Sequence, residues 1–86
     1  MKNPYIYNPY RYRISKERYE EFLKHLVWQR LQSPDYRFGQ AFLNFFPEIS
    51  QMMYADGDLG NQAEQHLFYE EWEPIARTKC EQWVDQ

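Results

Sequence analysis

"SKERYEEFLKHLVWQRLQ", residues 15–32, carries the clearest secondary-structure signal in this sequence. Its large apolar side chains recur every three or four positions, which is the spacing of one face of a helix. Ser15 stands before them and has a hydroxyl suited to capping a first turn. The stretch therefore predicts a helix over 16–32, with an apolar face made of Tyr19, Phe22, Leu23, Leu26, Val27 and Leu31.

Two shorter helical segments are expected next. Ser33, Pro34 and Asp35 supply a cap, a proline for the first helical position and an acid for the positive helix end. A second helix is therefore predicted to begin there, to run to about Phe46 and to stop before Pro47. Its apolar face comprises Phe38, Ala41, Phe42 and Phe45. A further helical turn or two after the proline is indicated by Ile49, Met52 and Met53.

The C-terminal third is expected to combine a loop with a last helix. "DGDLGN", residues 56–61, predicts a loop because it consists mainly of Gly, Asp and Asn. "HLFYEEWEP", residues 66–74, leaves a helix and a bend equally open. The last helix is predicted to begin near Glu73, with Pro74 in its first turn. Its apolar face comprises Ile75, Ala76, Cys80, Trp83 and Val84.

The N-terminal segment differs in composition from the rest of the chain. Residues 3–13 contain Asn-Pro-Tyr-x-Tyr twice, so that four tyrosines stand beside two prolines and two arginines. Prolines remove backbone donors and favour extended geometry. We therefore expect an extended N-terminal arm over 1–14, with a short edge strand at most, and a single helical domain over 15–86. The fold class predicted for the domain is an all-α bundle of three to four helices.

Length and charge narrow the classes of function. A chain of 86 residues makes one domain, and its 8 Tyr, 6 Phe and 3 Trp can build a core from few positions. Residues 1–47 carry eight basic and four acidic side chains, whereas residues 48–86 carry two basic and nine acidic ones. This asymmetry either marks a surface for protein or nucleic acid, or the two halves neutralise each other within the fold.

The sequence lacks the residue sets that catalysis and metal binding require. Its two histidines are not accompanied by a recognisable nucleophile and orienting group. His66 and Glu70 would supply only two metal ligands. Cys80 is the single cysteine and lies on an apolar helix face, which predicts a buried, unreactive thiol. A non-enzymatic protein without metal or cofactor is expected. Neither a secretory leader nor a membrane span is visible, so a cytoplasmic location is predicted.

Residues 28–84 carry a further pattern. "WQRLQSPDYRFGQAFLNFFPEI" at 28–49 is followed by "LFYEEWEP" at 67–74. These segments resemble a group of short uncharacterised bacteriophage and prophage proteins with an Arg-x-Gly-Gln-x-x-x-Asn pattern, a proline and an acidic Phe-Tyr segment. The matching residues are Arg37, Gly39, Gln40, Asn44, Pro47, Phe68 and Tyr69, while Leu67 stands where the group has an acid. The resemblance implies a phage-linked accessory protein and implies no reaction.

The polar residues of this pattern also have a physical interpretation. Arg37, Gln40 and Asn44 stand three and four residues apart, which places them on one face of the second helix. They form a polar recognition stripe, or Gln40 and Asn44 hydrogen-bond buried backbone in the neighbouring connections. Gly39 has no side chain, so we expect another helix or connection to approach closely there.

The arm has three interpretations that the sequence leaves open. Its side chains pack on the helices, or they dock on another protein or a second copy, because Tyr and Arg are enriched at interface hot spots. In the third, Tyr10 and Tyr12 stack on the bases of a single strand, while the phosphates are contacted by Arg11, Arg13, Lys16 and Arg18. The arm residues concerned are Tyr5, Tyr7, Tyr10, Arg11, Tyr12 and Arg13.

The expected function is binding of another protein, from host or phage, or self-association. Inhibition of a host system is one form of this function that we expect. Besides the arm residues, the candidate contacts are Arg37, Gln40, Asn44 and Trp72, the last of which is interleaved with acids in "EEWE". The alternative is a nucleic-acid-binding protein that uses the basic arm. No contact with a membrane is expected.

Overall fold

The computed structural model describes residues 9–85, which form five α-helices and no regular strand. The all-α class is therefore confirmed, and the described residues contain one helix more than the three to four expected. Their bounds are α1 Lys16–Gln32, α2 Phe38–Phe45, α3 Pro47–Ala55, α4 Asp58–Tyr69 and α5 Glu73–Glu81. None of these helices is long and apolar enough to cross a bilayer.

Helix α1 has the predicted bounds because its start is set by local chemistry. The Ser15 hydroxyl accepts the Arg18 backbone N–H at 3.2 Å, which caps the first turn. The predicted apolar face is only partly buried. Tyr19, Phe22 and Leu26 are in the core, whereas Val27 and Leu31 are exposed, because no element of residues 9–85 covers that side of the second half of the helix.

The start of the second helix was predicted too early. The Ser33 backbone N–H donates to the Gln29 carbonyl and so closes α1, while the Tyr36 N–H donates to the Ser33 carbonyl at 3.0 Å. Pro34 and Asp35 therefore occupy the middle of a β-turn, where proline is equally favoured. Helix α2 begins at Phe38, four residues after the predicted first position, with Arg37 at its N-cap.

The predicted loop over 56–61 is also wrong, because α4 already begins at Asp58. The connection from α3 needs only Asp56 and Gly57, and Gly57 makes the reversal with a φ of 87°. The second glycine, Gly60, lies inside α4, where a Cβ atom would stand 1.9 Å from the Met53 carbonyl oxygen. It serves close packing of α3 against α4 rather than a turn.

Helix α2 is the centre of the molecule and packs against each of the other four helices. Phe22 of α1 meets four phenylalanine rings of the α2 region at centroid distances of 5.4 to 5.8 Å, namely Phe38, Phe42, Phe45 and Phe46. Inclined rings at such distances are favourable beyond the area they bury. At Gly39 a Cβ atom would stand 1.9 Å from the Leu67 carbonyl oxygen, so the predicted close approach is confirmed.

The two ends of the described chain meet. The Ile14 N–H donates to the Trp83 carbonyl and the Asp85 N–H donates to the Ile14 carbonyl, both at 2.8 Å. Within residues 9–85 this parallel bridge is the strand-like pairing of the arm, and most of the segment in which an edge strand was expected lies outside the described residues. Trp83 and Val84 are buried as predicted, but they lie beyond the end of α5 rather than on its face.

The charge asymmetry is neutralised within the fold to a large extent. Four of the ion pairs in the described chain join a basic side chain of the first half to an acid of the second half. They are Arg11–Asp56, Arg18–Glu48, Arg30–Glu73 and Arg37–Glu71. Opposite charges therefore hold α1, the arm and the α2 start against the acidic elements.

Candidate protein-binding surface

The described part of the arm packs on the helical domain. Tyr10 is half-buried, and its ring meets that of Trp83 edge to face at a centroid distance of 4.8 Å. Burial of this phenol, followed by the nearby Cys80, raises the pKa of Tyr10. Pro9 is also buried beside it. The packing interpretation of the arm therefore holds for residues 9–14, while Tyr5 and Tyr7 lie outside the described residues.

Tyr12 belongs to a polar cluster that joins the arm to α1 and α3. Its hydroxyl donates to Glu48 Oε2 at 3.1 Å and accepts from Arg18 Nη1 at 3.3 Å. Arg18 also pairs with the same carboxylate oxygen at 2.8 Å. Partial burial opposes ionisation of Glu48, but hydrogen bonds from its own backbone, Arg18 and Tyr12 outweigh it and lower the pKa of Glu48. The cluster anchors the arm.

The arm cations are likewise used inside the chain. Arg11 pairs with Asp56 at 2.7 Å, and Arg13 Nη1 donates to the Gln82 carbonyl at 2.6 Å. Both arginines remain exposed, so their contacts leave part of each guanidinium in solvent. They nevertheless lie beside acids or carbonyls, which lowers the positive potential available to a phosphate.

Two of the three polar residues predicted on α2, Arg37 and Asn44, have separate partners. Arg37, at the N-cap, donates to the Tyr69 carbonyl at 3.1 Å and pairs with Glu71 at 3.2 Å. Asn44 donates to the Tyr36 hydroxyl at 2.8 Å, and Gln40 is half-buried between them. Arg37 therefore fastens the α4–α5 connection to α2, whereas Asn44 fixes an aromatic ring at the α1–α2 surface.

Trp72, another of the predicted contact residues, is exposed to solvent. It precedes α5, and its side chain is 64% exposed among Glu70, Glu71 and Glu73. Tyr69, at the end of α4, is 62% exposed. This aromatic-acidic connection is held from below by Arg37.

Two side chains that the sequence pattern placed on the apolar face of α1, Val27 and Leu31, are exposed beside Trp28. Val27, Trp28 and Leu31 are exposed by 66%, 57% and 78%, and together we call them the α1 patch. Leu31 is adjacent to both Val27 and Trp28 on the helix surface, because it lies four and three residues after them. The sequence shows that these apolar residues lie at helical spacing, but helical spacing alone does not distinguish a buried face from an exposed one.

The α1 patch continues into a shallow cavity. Trp28 borders a cavity of about 260 Å³ that is also lined by Ser33 and Tyr36. Since Asn44 donates to Tyr36, the structure connects one predicted contact residue with the patch. On the inner side, the His25 ring lies between Trp28 and Phe45 at centroid distances of 6.1 and 5.4 Å. These contacts position the indole while leaving more than half of it in solvent.

The described residues contain no cluster of three His, Cys, Asp or Glu side chains that could hold a metal ion. Cys80 is buried, as predicted, and burial raises the pKa of its thiol well above the ordinary value. A thiol held in its neutral form is a poor nucleophile.

No protein-family model, curated protein or solved structure matches this chain.

Proposed function

We propose that the chain is a non-enzymatic accessory protein that acts by binding another protein or a second copy, and that it does so through the α1 patch. The observation that carries the proposal is the exposure of Val27, Trp28 and Leu31 side by side on a helix whose other face is buried. Burial of such side chains yields about 1.5–3 kcal/mol each, and Trp is the residue type most enriched at interface hot spots. The patch is therefore a source of binding energy that the isolated fold leaves unused.

The resemblance of residues 28–84 to short phage and prophage proteins supports a more specific form of this proposal. In that form the chain is a phage-linked factor in the cytoplasm, and its partner belongs to the phage or to its host. Inhibition of a host system is the corresponding activity. Two residues of the α1 patch, Trp28 and Leu31, lie in the resembling segment, and Trp28 lines the same cavity as Tyr36, to which Asn44 donates.

Nucleic-acid binding through the arm is the alternative, and the pairing of the arm does not favour it. Arg11 and Arg18 have carboxylate partners, and Arg13 bonds a carbonyl. A phosphate would have to compete with these partners. Fluorescence anisotropy with labelled single strands would support the alternative if affinity decreased steeply with added salt.

The proposal is tested with a paired variant, Val27→Gln with Leu31→Gln, and a matched control, Glu21→Gln, an exposed position on the same helix. Affinity capture from host lysate and light scattering of the purified protein are measured for each. We expect the wild type and the control to retain a stoichiometric partner or to dimerise, and the paired variant to do neither. A wild type that stays monomeric and captures nothing, or a paired variant that behaves as the wild type does, would overturn the proposal.

A further inference from the structure

A second concave feature lies on another part of the molecule, where α4 and α5 diverge. Helix α4 packs against α3 and α2, and α5 packs against α2, whereas α4 and α5 make few contacts with each other. The space between them holds a cavity of about 210 Å³. Its lining includes Met53, Leu67 and Trp83, each of which is almost fully buried, and the half-buried Tyr10.

The size and walls of this cavity suit a single aromatic ring. A cavity of about 150 Å³ lined by apolar side chains is known to hold benzene in proteins. Here the rings of Tyr10 and Trp83 already meet edge to face, so a third ring would find an aromatic wall. The Trp83 indole Nε1 is buried, and no atom of the described chain accepts its hydrogen bond. One buried polar atom beside the cavity therefore lacks a hydrogen-bond partner within the described chain.

Charge at the mouth of the cavity decides which kind of aromatic molecule fits. Lys79 of α5 lines the cavity, and within the described part of the chain its ammonium group makes no ion pair. His66 of α4 stands on the opposite rim. Glu70 lies further along, in an adjoining opening that Lys79 and His66 also border, and its carboxylate accepts the Trp72 N–H at 3.3 Å. An apolar interior with a lysine at its edge is complementary to a ring that carries a carboxylate.

We propose that this cavity binds an aromatic carboxylate, with the ring packed against the wall formed by Tyr10 and Trp83 and the carboxylate against Lys79. Two sources share this chemistry: a free aromatic acid, and the C-terminal phenylalanine of a polypeptide. The site shares no residue with the α1 patch, so its failure and the failure of the proposed function are separate results.

The probes are phenylacetate and the peptide acetyl-Ala-Ala-Phe with a free C-terminus, each compared with its neutral amide. Binding is followed by the indole N–H signals of the ¹⁵N-labelled full chain, which has three tryptophans. We expect the carboxylates to shift the Trp83 signal and to leave that of Trp28, on the far α1 patch, in place. The free acid is the source if phenylacetate binds at least as well as the peptide. A polypeptide terminus is the source if the peptide binds about tenfold more tightly.

Variants assign the contacts. Lys79→Met keeps the aliphatic stem and removes the charge, and we expect it to weaken carboxylate binding about threefold to tenfold, as loss of a partly exposed ion pair does. Lys24→Met, an exposed lysine of α1, is the control and should change nothing. Ala63→Leu fills the cavity from α4 and should abolish binding. If the larger side chain prevents folding, Lys79→Met still tests the site. Absence of a Trp83 shift up to about 10 mM carboxylate, or equal binding of the amides, would overturn the proposal.

Discussion

The contact between Gly39 and α4 leads to a quantitative prediction for Gly39→Ala. A Cβ atom at position 39 would lie 1.9 Å from the Leu67 carbonyl oxygen and 2.9 Å from its carbonyl carbon. Ordinary contact begins at 3.4 Å, so α2 and α4 would have to separate by about 1.5 Å, the difference between these distances. The obstacle is backbone within a helix, which cannot rotate aside as a side chain does.

The magnitude follows from two opposing effects. Alanine favours a helix interior over glycine by about 1 kcal/mol. Separation by more than about 1 Å removes over half of the dispersion energy between the facing atoms, and overpacked cores lose about 1–3 kcal/mol or more. Since α2 packs against every other helix, the disturbance is not confined to one contact. We expect a net loss of about 3 kcal/mol, which is roughly 12–24 °C in melting temperature for a domain of this size.

The assay is urea and thermal unfolding followed by circular dichroism, with the other two glycines as references. Gly60→Ala meets the Met53 carbonyl oxygen at the same 1.9 Å and should lose a similar amount. Gly57→Ala meets nothing within 4 Å, so only its backbone angles, φ 87° and ψ −153°, oppose the change, at about 1–3 kcal/mol. If Gly39→Ala unfolds within about 0.5 kcal/mol of the wild type, the helices are not in backbone contact and the argument is refuted.

Three further predictions concern burial. Burial, and then the hydrogen bond to Glu81, raises the pKa of Tyr19, and burial also raises that of Cys80. Below about pH 8, Tyr19 and Cys80 are neutral in both the folded and the unfolded chain. At higher pH the unfolded chain loses protons that the native state keeps, so the melting temperature should fall. Tyr19→Phe should reduce this fall above about pH 10. Second, a thiol reagent should modify the buried Cys80 only as fast as the chain opens. Comparing the rate of modification in urea with the rate in buffer tests this. Third, Leu31→Gln should change the unfolding free energy by less than about 0.5 kcal/mol, whereas Leu26→Ala should cost about 2–5 kcal/mol.

The predictions about single contacts and those about binding test different parts of the molecule. The glycine series concerns how α4 is held between α2 and α3, and none of these residues lines the α1 patch. Leu31→Gln connects the two, because the same change that leaves stability unaltered should weaken binding. If Leu31→Gln loses binding while the free energy of unfolding is unchanged, the α1 patch contacts a partner and does not stabilise the fold.

Much of the secondary structure could be predicted because its causes are local. The Ser15 cap and the apolar spacing after it determine α1, and Pro47 separates α2 from α3. Glu73 and Pro74 likewise begin α5 as expected. Each of these signals acts within one or two turns of its own helix, so it operates before any tertiary contact forms.

Other features were decided only by the packing of distant residues. The chemistry of Pro34 suits both a helix start and a β-turn, and the glycine at position 60 suits both a loop and a close helix contact. In the same way, the spacing of Val27 and Leu31 is that of a core face, yet no element of the described chain covers them. Sequence periodicity determined which side chains were able to be buried. Which of them are buried depends on how the other helices pack against α1, and in the described chain this packing leaves the α1 patch exposed.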